Sequence, residues 1–333
     1  MDLEYSFVIP VFNRPGEVRE LLQSMSRLQF SKPFEVVIVE DGSSIRAKEV
    51  ISAFEDKLQI SYYFKENSGP GNSRNFGMQK AKGNYFLILD SDVLLPEDYL
   101  QQVDDYLQHN YLDCFGGPDA SHPSFSKTQK AIDYTMTSFL TTGGIRGKKA
   151  SVGDFQPRSF NMGISKEAFE ASGGFGKIHP GEDPDLSLRL KAQGFKLGLI
   201  SEAVVFHKRR IDWGKFYTQV RKFGLVRPIL NSWHPGSAKI TYWFPSVFSL
   251  GFLLAILLLR FGFWGLFDLY ILYFVIIGID AGIKNKSLKI GFLAIYATLV
   301  QFFGYGYGFL VSVWEIQILK KDPEQEFPKL FFK

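Results

Sequence analysis

A chain of 333 residues with a net charge of +4 has room for one sizeable domain and an appendage, or for two domains, and does not call for a nucleic-acid partner. A single cysteine, Cys114, excludes an internal disulfide and a four-cysteine zinc site, and it reads as a small buried apolar residue. The opening MDLEYSFVIP has two acids and runs straight into a strand pattern, so no signal peptide is expected and the N-terminal part is expected in the cytoplasm. SFVIPVF is a continuous apolar run of the kind found in strands buried on both faces. RPGEVRELLQSMSRL follows with helical periodicity and a proline near its first turn. FEVVIVEDGSS reads as a second strand with a polar end, ISYYFKEN as a third, GPGNSRNFGMQKAKG as a helix closed by Gly83, and NYFLILDSD as a fourth strand. This alternation predicts an α/β domain around a mostly parallel sheet, whose ligands bind beyond the C-terminal strand ends. Asn13 and Arg14, Glu40 and Asp41, and Asp90 and Asp92 all collect at those ends.

Asp90 and Asp92 have no basic residue beside them in the sequence, and two such carboxylates favour a cation. Oxygen ligands suit Mg2+ or Mn2+, which in turn bridge the phosphate oxygens of a nucleotide. Asp41, in EDGSS, has two readings: an acceptor for the N–H groups of a nucleobase, or plain turn chemistry. Arg74, in a helix opened by small residues, suits a base or a diphosphate. Glu182, Asp183 and Asp185 stand together in GEDPDLSLRL. There Asp183 is either the N-cap before Pro184 or a general base aimed at a substrate hydroxyl. There is no Walker lysine and no dinucleotide fingerprint.

Near residue 240 the composition changes. Stretches at about 242–259, 261–280 and 290–314 are long enough for the hydrocarbon core of a bilayer; the first and third carry no charge, and Asp268 lies inside the second. Asp268 is read either as paired with Arg260 or as lying at the membrane edge. The basic segment 207–227 predicts a cytoplasmic side before the first span, and its charges would either set topology alone or hold anionic lipid headgroups or a polyprenyl diphosphate. Three full crossings would place the tail outside, unless the glycine-rich FFGYGYGF forms a re-entrant or interfacial helix. The expected division is a cytoplasmic domain at 1–235, membrane helices within 236–320 and a tail at 321–333.

Taken in order, IPVFNR, VVIVEDGSS, GPGNSRNFG, GNYFLILDSDV, FNMGISKEAFEASGGF and GEDPDLSLRL resemble the motifs of family 2 glycosyltransferases of the GT-A fold, over roughly residues 4 to 210. The resemblance implies inverting transfer of a sugar from a nucleotide-diphosphate donor, a UDP-sugar being the first expectation, helped by Mn2+ or Mg2+. It implies Asp90 and Asp92 as the Asp-x-Asp pair at the metal and diphosphate, with Ser91 among the donor-binding residues. It further implies Asp41 at the base, Pro10, Phe12 and Asn13 around its pocket, Arg74 near the base or diphosphate, Asp183 as catalytic base with Glu182 beside it, and His207 near the metal. QVRKFG, at 219–224, is similar to a motif of processive synthases but carries Lys222 and Phe223 where those have Arg-Trp, which puts processivity in doubt. With membrane spans behind it, such an enzyme is expected at the inner membrane, extending a lipid-linked saccharide or polysaccharide. The alternatives are a polyprenyl-phosphate sugar transferase, a nucleotidyltransferase and a non-catalytic nucleotide-sugar-binding subunit.

Overall fold

The apolar runs of the first ninety residues become strands, largely buried except for the half-buried edge strand Gln59–Lys65. The computed structural model describes residues 2–120, 125–143, 155–208 and 212–332; Arg209 and Arg210, part of the basic segment, lie outside the described residues. Strand β1 (Tyr5–Val11) leads into helix α1 (Pro15–Met25), β2 (Phe34–Asp41), the short α2 (Lys48–Ser52) and β3 (Gln59–Lys65). Then come α3 (Pro70–Lys80), β4 (Tyr85–Leu89), β5 (Val93–Leu94), α4 (Tyr99–His109), β6 (Cys114–Gly116) and β7 (Asp119–Ala120). β1, β2, β3 and β4 pair in parallel, with β2 and β4 on either side of β1. Helices cover both faces of this half-sheet, so alternate strand residues enter two separate cores. Phe7, Ile9 and Leu87 join Leu21, Leu22 and Met25 of α1, whereas Val8 and Ile88 join Met78 of α3.

The sheet continues through β8 (Asn161–Ser165) and β9 (Leu197–Leu199), reached through α7 (Lys166–Ser172) and α8 (Glu182–Ala192). Its order is β3-β2-β1-β4-β8-β6-β9, parallel except where β8 runs against both of its neighbours. A second sheet, β5-β10-β7, uses β10 (Val205–His207). The α/β, mostly parallel fold class expected from the sequence is the one found. Cys114 is buried, and burial pushes its thiol pKa up.

Two local expectations need correction. Gly83 does not close α3, which ends at Lys80 with Ala81 as its cap. Gly83 is instead pressed against β1: its N–H donates to Ser6 Oγ at 2.9 Å, and a Cβ there would stand 2.3 Å from the Glu4 carbonyl oxygen. Asp183 is not an N-cap either, because α8 starts one residue earlier and Gly181 occupies the cap.

The chain forms two compact units: Met1–His122 with Arg146–Lys208 and Phe331–Lys333, and Pro123–Ile145 with Arg209–Leu330. The second contains α5 (Lys127–Thr137), α6 (Phe139–Thr142), α9 (Trp213–Trp233), α10 (Phe244–Leu259), α11 (Gly265–Lys284) and α12 (Leu288–Ser312). Three helical stretches, Ile240–Leu259, Gly265–Lys284 and Leu288–Ile318, are long and apolar enough to cross a membrane. Asp268 lies in the first turn of α11, the helix-end position.

FFGYGYGF does not interrupt α12. Its glycines let backbones approach, as small residues do between membrane helices. A Cβ at Gly308 would stand 2.3 Å from the Arg221 carbonyl oxygen of α9, and one at Gly306 would stand 2.9 Å from the Pro245 carbonyl oxygen of α10. The run is a packing face within a continuous helix.

Candidate active site

β4 delivers five buried apolar residues and then releases Asp90, Ser91 and Asp92 at its C-terminal end, short of β5. Ser91 is buried between the two carboxylates. Asp90 Oδ1 accepts from Arg74 Nη2 at 2.8 Å, and Asp92 pairs with Arg14 and, at 3.2 Å, with His207 Nε2. The premise that the two aspartates lack basic neighbours therefore holds in the sequence and fails in space. Burial works against the charge on Asp92, but His207 and Arg14 hold its carboxyl well below the usual carboxylate range. His207 ends β10 with its ring stacked on Phe160 at 5.0 Å and its Nδ1 3.7 Å from Asp119 Oδ2. Asp90, Asp92 and His207 offer three ligand atoms that all lie within 4.8 Å of one another. Two carboxylate oxygens and an imidazole nitrogen form a donor set that fits Mn2+ or Mg2+.

Arg74 is fully enclosed in α3 and joins two distant parts of the chain. Besides Asp90, its guanidinium donates through Nη1 to Glu182 Oε1 at 3.0 Å, and it lies over the Phe175 ring at 5.3 Å. His179 Nδ1 also bonds Glu182 Oε1, at 2.9 Å. Burial pushes the Glu182 carboxyl up, but His179, Arg74 and a backbone N–H outweigh it and bring the pKa down to about 2. A carboxylate held this way is a weak base and a good anchor. The Oδ2 of Asp183, the next residue, accepts from the Ser159 N–H at 3.4 Å and stands 3.8 Å from Arg158 Nη1.

The residues expected around a nucleobase gather where β1 and β2 end. Asp41 is buried and accepts the N–H groups of Ser68 and Gly69, each at 2.9 Å, together with the Lys65 ammonium. Its carboxylate thus fixes the loop ahead of α3, and any base contact must use its remaining lone pairs. Asn13, at φ 55°, donates its N–H to Ser43 Oγ and accepts the Ile45 N–H on Oδ1, tying the end of β1 to the loop after β2. Pro10 is half-buried opposite Val39, and the Phe12 ring is exposed. Arg14, Arg158 and His179 pair with the acidic residues, and Asp119 and Phe160 lie against His207, yet sequence reasoning gave none of the five a role. Only Arg14 carried a signal there, its position at a strand end.

A mostly parallel α/β sheet with an aspartate pair at its C-terminal edge defines the class of open-sheet proteins that bind ligands beyond their strand ends. Comparison with known proteins narrows this class. Residues 6–171 match the family model for glycosyl transferase family 2, and this domain of the chain belongs to that family. A glycosyltransferase of Rickettsia felis is 33% identical over 134 residues, 40% of this chain and 21% of its own length. The poly(ribitol-phosphate) beta-N-acetylglucosaminyltransferase TarS of Staphylococcus aureus is 28% identical over 114 residues, 33% of this chain and 20% of its own. The matches thus span about a fifth of these relatives' length. The mannosyltransferase PcManGT of Pyrobaculum calidifontis, solved with GDP-Man and Mn2+, superposes with a TM-score of 0.63 at 13% identity, covering 95% of this chain and 88% of that one. At that identity the likeness establishes the GT-A fold.

Proposed function

We propose that the chain is an inverting, membrane-anchored glycosyltransferase. It moves a sugar from a nucleotide-diphosphate sugar, a UDP-sugar first among the candidates, to a hydroxyl of a lipid-linked saccharide or polysaccharide. The observation that carries this reading is the convergence of Asp90, Asp92 and His207 at the C-terminal sheet edge of a family 2 domain. A divalent cation held by these three residues would neutralise charge developing on the departing diphosphate. Arg74 and Arg14 balance the two aspartates until a donor arrives.

Glu182, ionised and anchored between Arg74 and His179, fixes the start of α8 and so orients Asp183. Asp183 accepts the proton of the acceptor hydroxyl as its oxygen attacks the anomeric carbon opposite the leaving diphosphate, which inverts configuration. Asp41, Asn13, Pro10 and Phe12 border the base. The three apolar helices support a membrane location, with the site at the cytoplasmic face of the inner membrane, where nucleotide sugars are available.

The test is turnover by the purified full chain in detergent with membrane lipid extract, using UDP-, GDP- and dTDP-sugars with Mn2+ or Mg2+. Metal-dependent release of one nucleoside diphosphate is expected, falling by at least about a hundredfold in both Asp92→Ala and Asp183→Asn. Turnover retained in Asp183→Asn and lost in Asp92→Ala would point to a phosphate acceptor, which needs no strong base. Nucleotide binding without release from any donor would leave a binding subunit.

A further inference from the structure

Residues 331–332, which follow the membrane helices in the chain, belong to the same compact unit as the candidate site. Phe331 forms an antiparallel bridge with Ile178, and the Phe332 N–H donates to the Lys177 carbonyl at 3.0 Å. The Phe332 ring reaches two places. It lies 5.8 Å from the His179 ring, centroid to centroid. It also covers Gly69 so closely that a Cβ there would stand 2.3 Å from the Phe332 ring carbon Cγ. Gly69 is the residue whose N–H binds Asp41, and it caps the helix that carries Arg74. His179 is the residue that bonds Glu182, three positions further on. Phe332 therefore touches both loops that frame the site, one on the Asp41 and Arg74 side and the other on the Glu182 and Asp183 side.

We infer that Phe332 is a positioning residue. It pins loop 66–69 against loop 177–182 and so sets the separation between the donor-binding carboxylate and the catalytic helix. Elsewhere the two sides are joined by Arg74 and by the paired hydrogen bonds between Asn75 and Phe175, at 2.9 and 2.8 Å. Phe332 adds an apolar contact contributed from beyond the membrane segment, so the site is complete only when the chain has traversed its apolar helices and returned. Gly69, at φ 90°, suits this contact twice over: its conformation disfavours a side chain, and the ring leaves no room for one.

The catalytic part of this inference rests on the transferase reading; its structural part does not. The experiment compares the full chain with Phe332→Ala and Phe332→Tyr in detergent. Hydrogen exchange is followed at 66–74 and 177–183, binding of UDP and GDP with Mn2+ by calorimetry, and donor kinetics wherever turnover is found. Phe332→Ala is expected to speed exchange in both loops. It is expected to weaken nucleotide binding and raise donor KM by about tenfold, the low end of what losing a residue behind a ligand-holding group costs, with kcat within about threefold. Phe332→Tyr keeps the ring and should restore all three values. Faster exchange in only one loop, or in neither, overturns the inference, as does unchanged binding in a protein that binds nucleotide. If the unmodified chain neither binds UDP or GDP nor releases sugar, the transferase reading fails and exchange at the two loops decides the role of Phe332.

Discussion

Glu182 remains charged in a fully enclosed position because its partners are fixed before any ligand arrives: Arg74 from α3 on one side and His179 from its own loop on the other. Its pKa is lowered from 4.5 to about 2. A carboxyl whose folded value lies below its unfolded value adds stability that is complete above about pH 4.5 and is lost as pH falls toward about 2. The difference in urea midpoint between the full chain and Glu182→Gln should therefore narrow as pH drops from 4.5 to 2. A difference constant across that window would show that the charge on Glu182 contributes nothing. At this scale the sequence displayed the acids and hid their partners. Asp90, Asp92 and Asp183 stand in short quotable motifs, whereas the contact between Arg74 and Glu182 joins residues 108 positions apart. Asp41 was legible as a strand-end carboxylate, but not as the acceptor that holds the backbone at 68 and 69.

The long buried strands β1, β2 and β4 were the easiest elements to read, since burial on both faces leaves a continuous apolar signature, whereas the short β5 to β10 left none. Glycines were the hardest. One residue type serves as a close approach at Gly83, as a positive-φ helix cap at Gly69 and as a helix-packing face at Gly304, Gly306 and Gly308; only the surrounding atoms distinguish these uses. The last case allows a sharp comparison. Gly308→Val drives a side chain into the Arg221 carbonyl and should separate α9 from α12, at a cost of about 1–3 kcal/mol of overpacking. Gly265→Ala, at the start of α11 with nothing within 4 Å of the added carbon, should leave stability unchanged. Thermal melting of the two variants in detergent checks this, and equal melting temperatures would refute the packing role.

Across the whole molecule, the chain leaves the site-bearing unit after Lys208 and rejoins it at Phe331. Backbone pairing of Phe331 and Phe332 with Ile178 and Lys177 predicts that both ends of the intervening segment lie on one side of the bilayer, with an even number of full crossings between them. Three complete crossings, the count suggested by three apolar stretches, would break that pairing. The stretch most covered by protein is Leu288–Ile318. Reporter tags at the two ends of the chain should thus give the same sidedness, and opposite sides would break the pairing at 177–178. The sequence by itself determined the alternation of strands and helices, the aspartate pair at a strand end and the apolar character of the last third. Each of these is a local matter of burial pattern or chain composition. Only the tertiary structure decided which cations face the aspartates, why the glycines of α12 are there, and that residues 331–332 return to the site. Those depend on contacts between segments far apart in the chain, and such contacts leave no periodic trace in the order of residues.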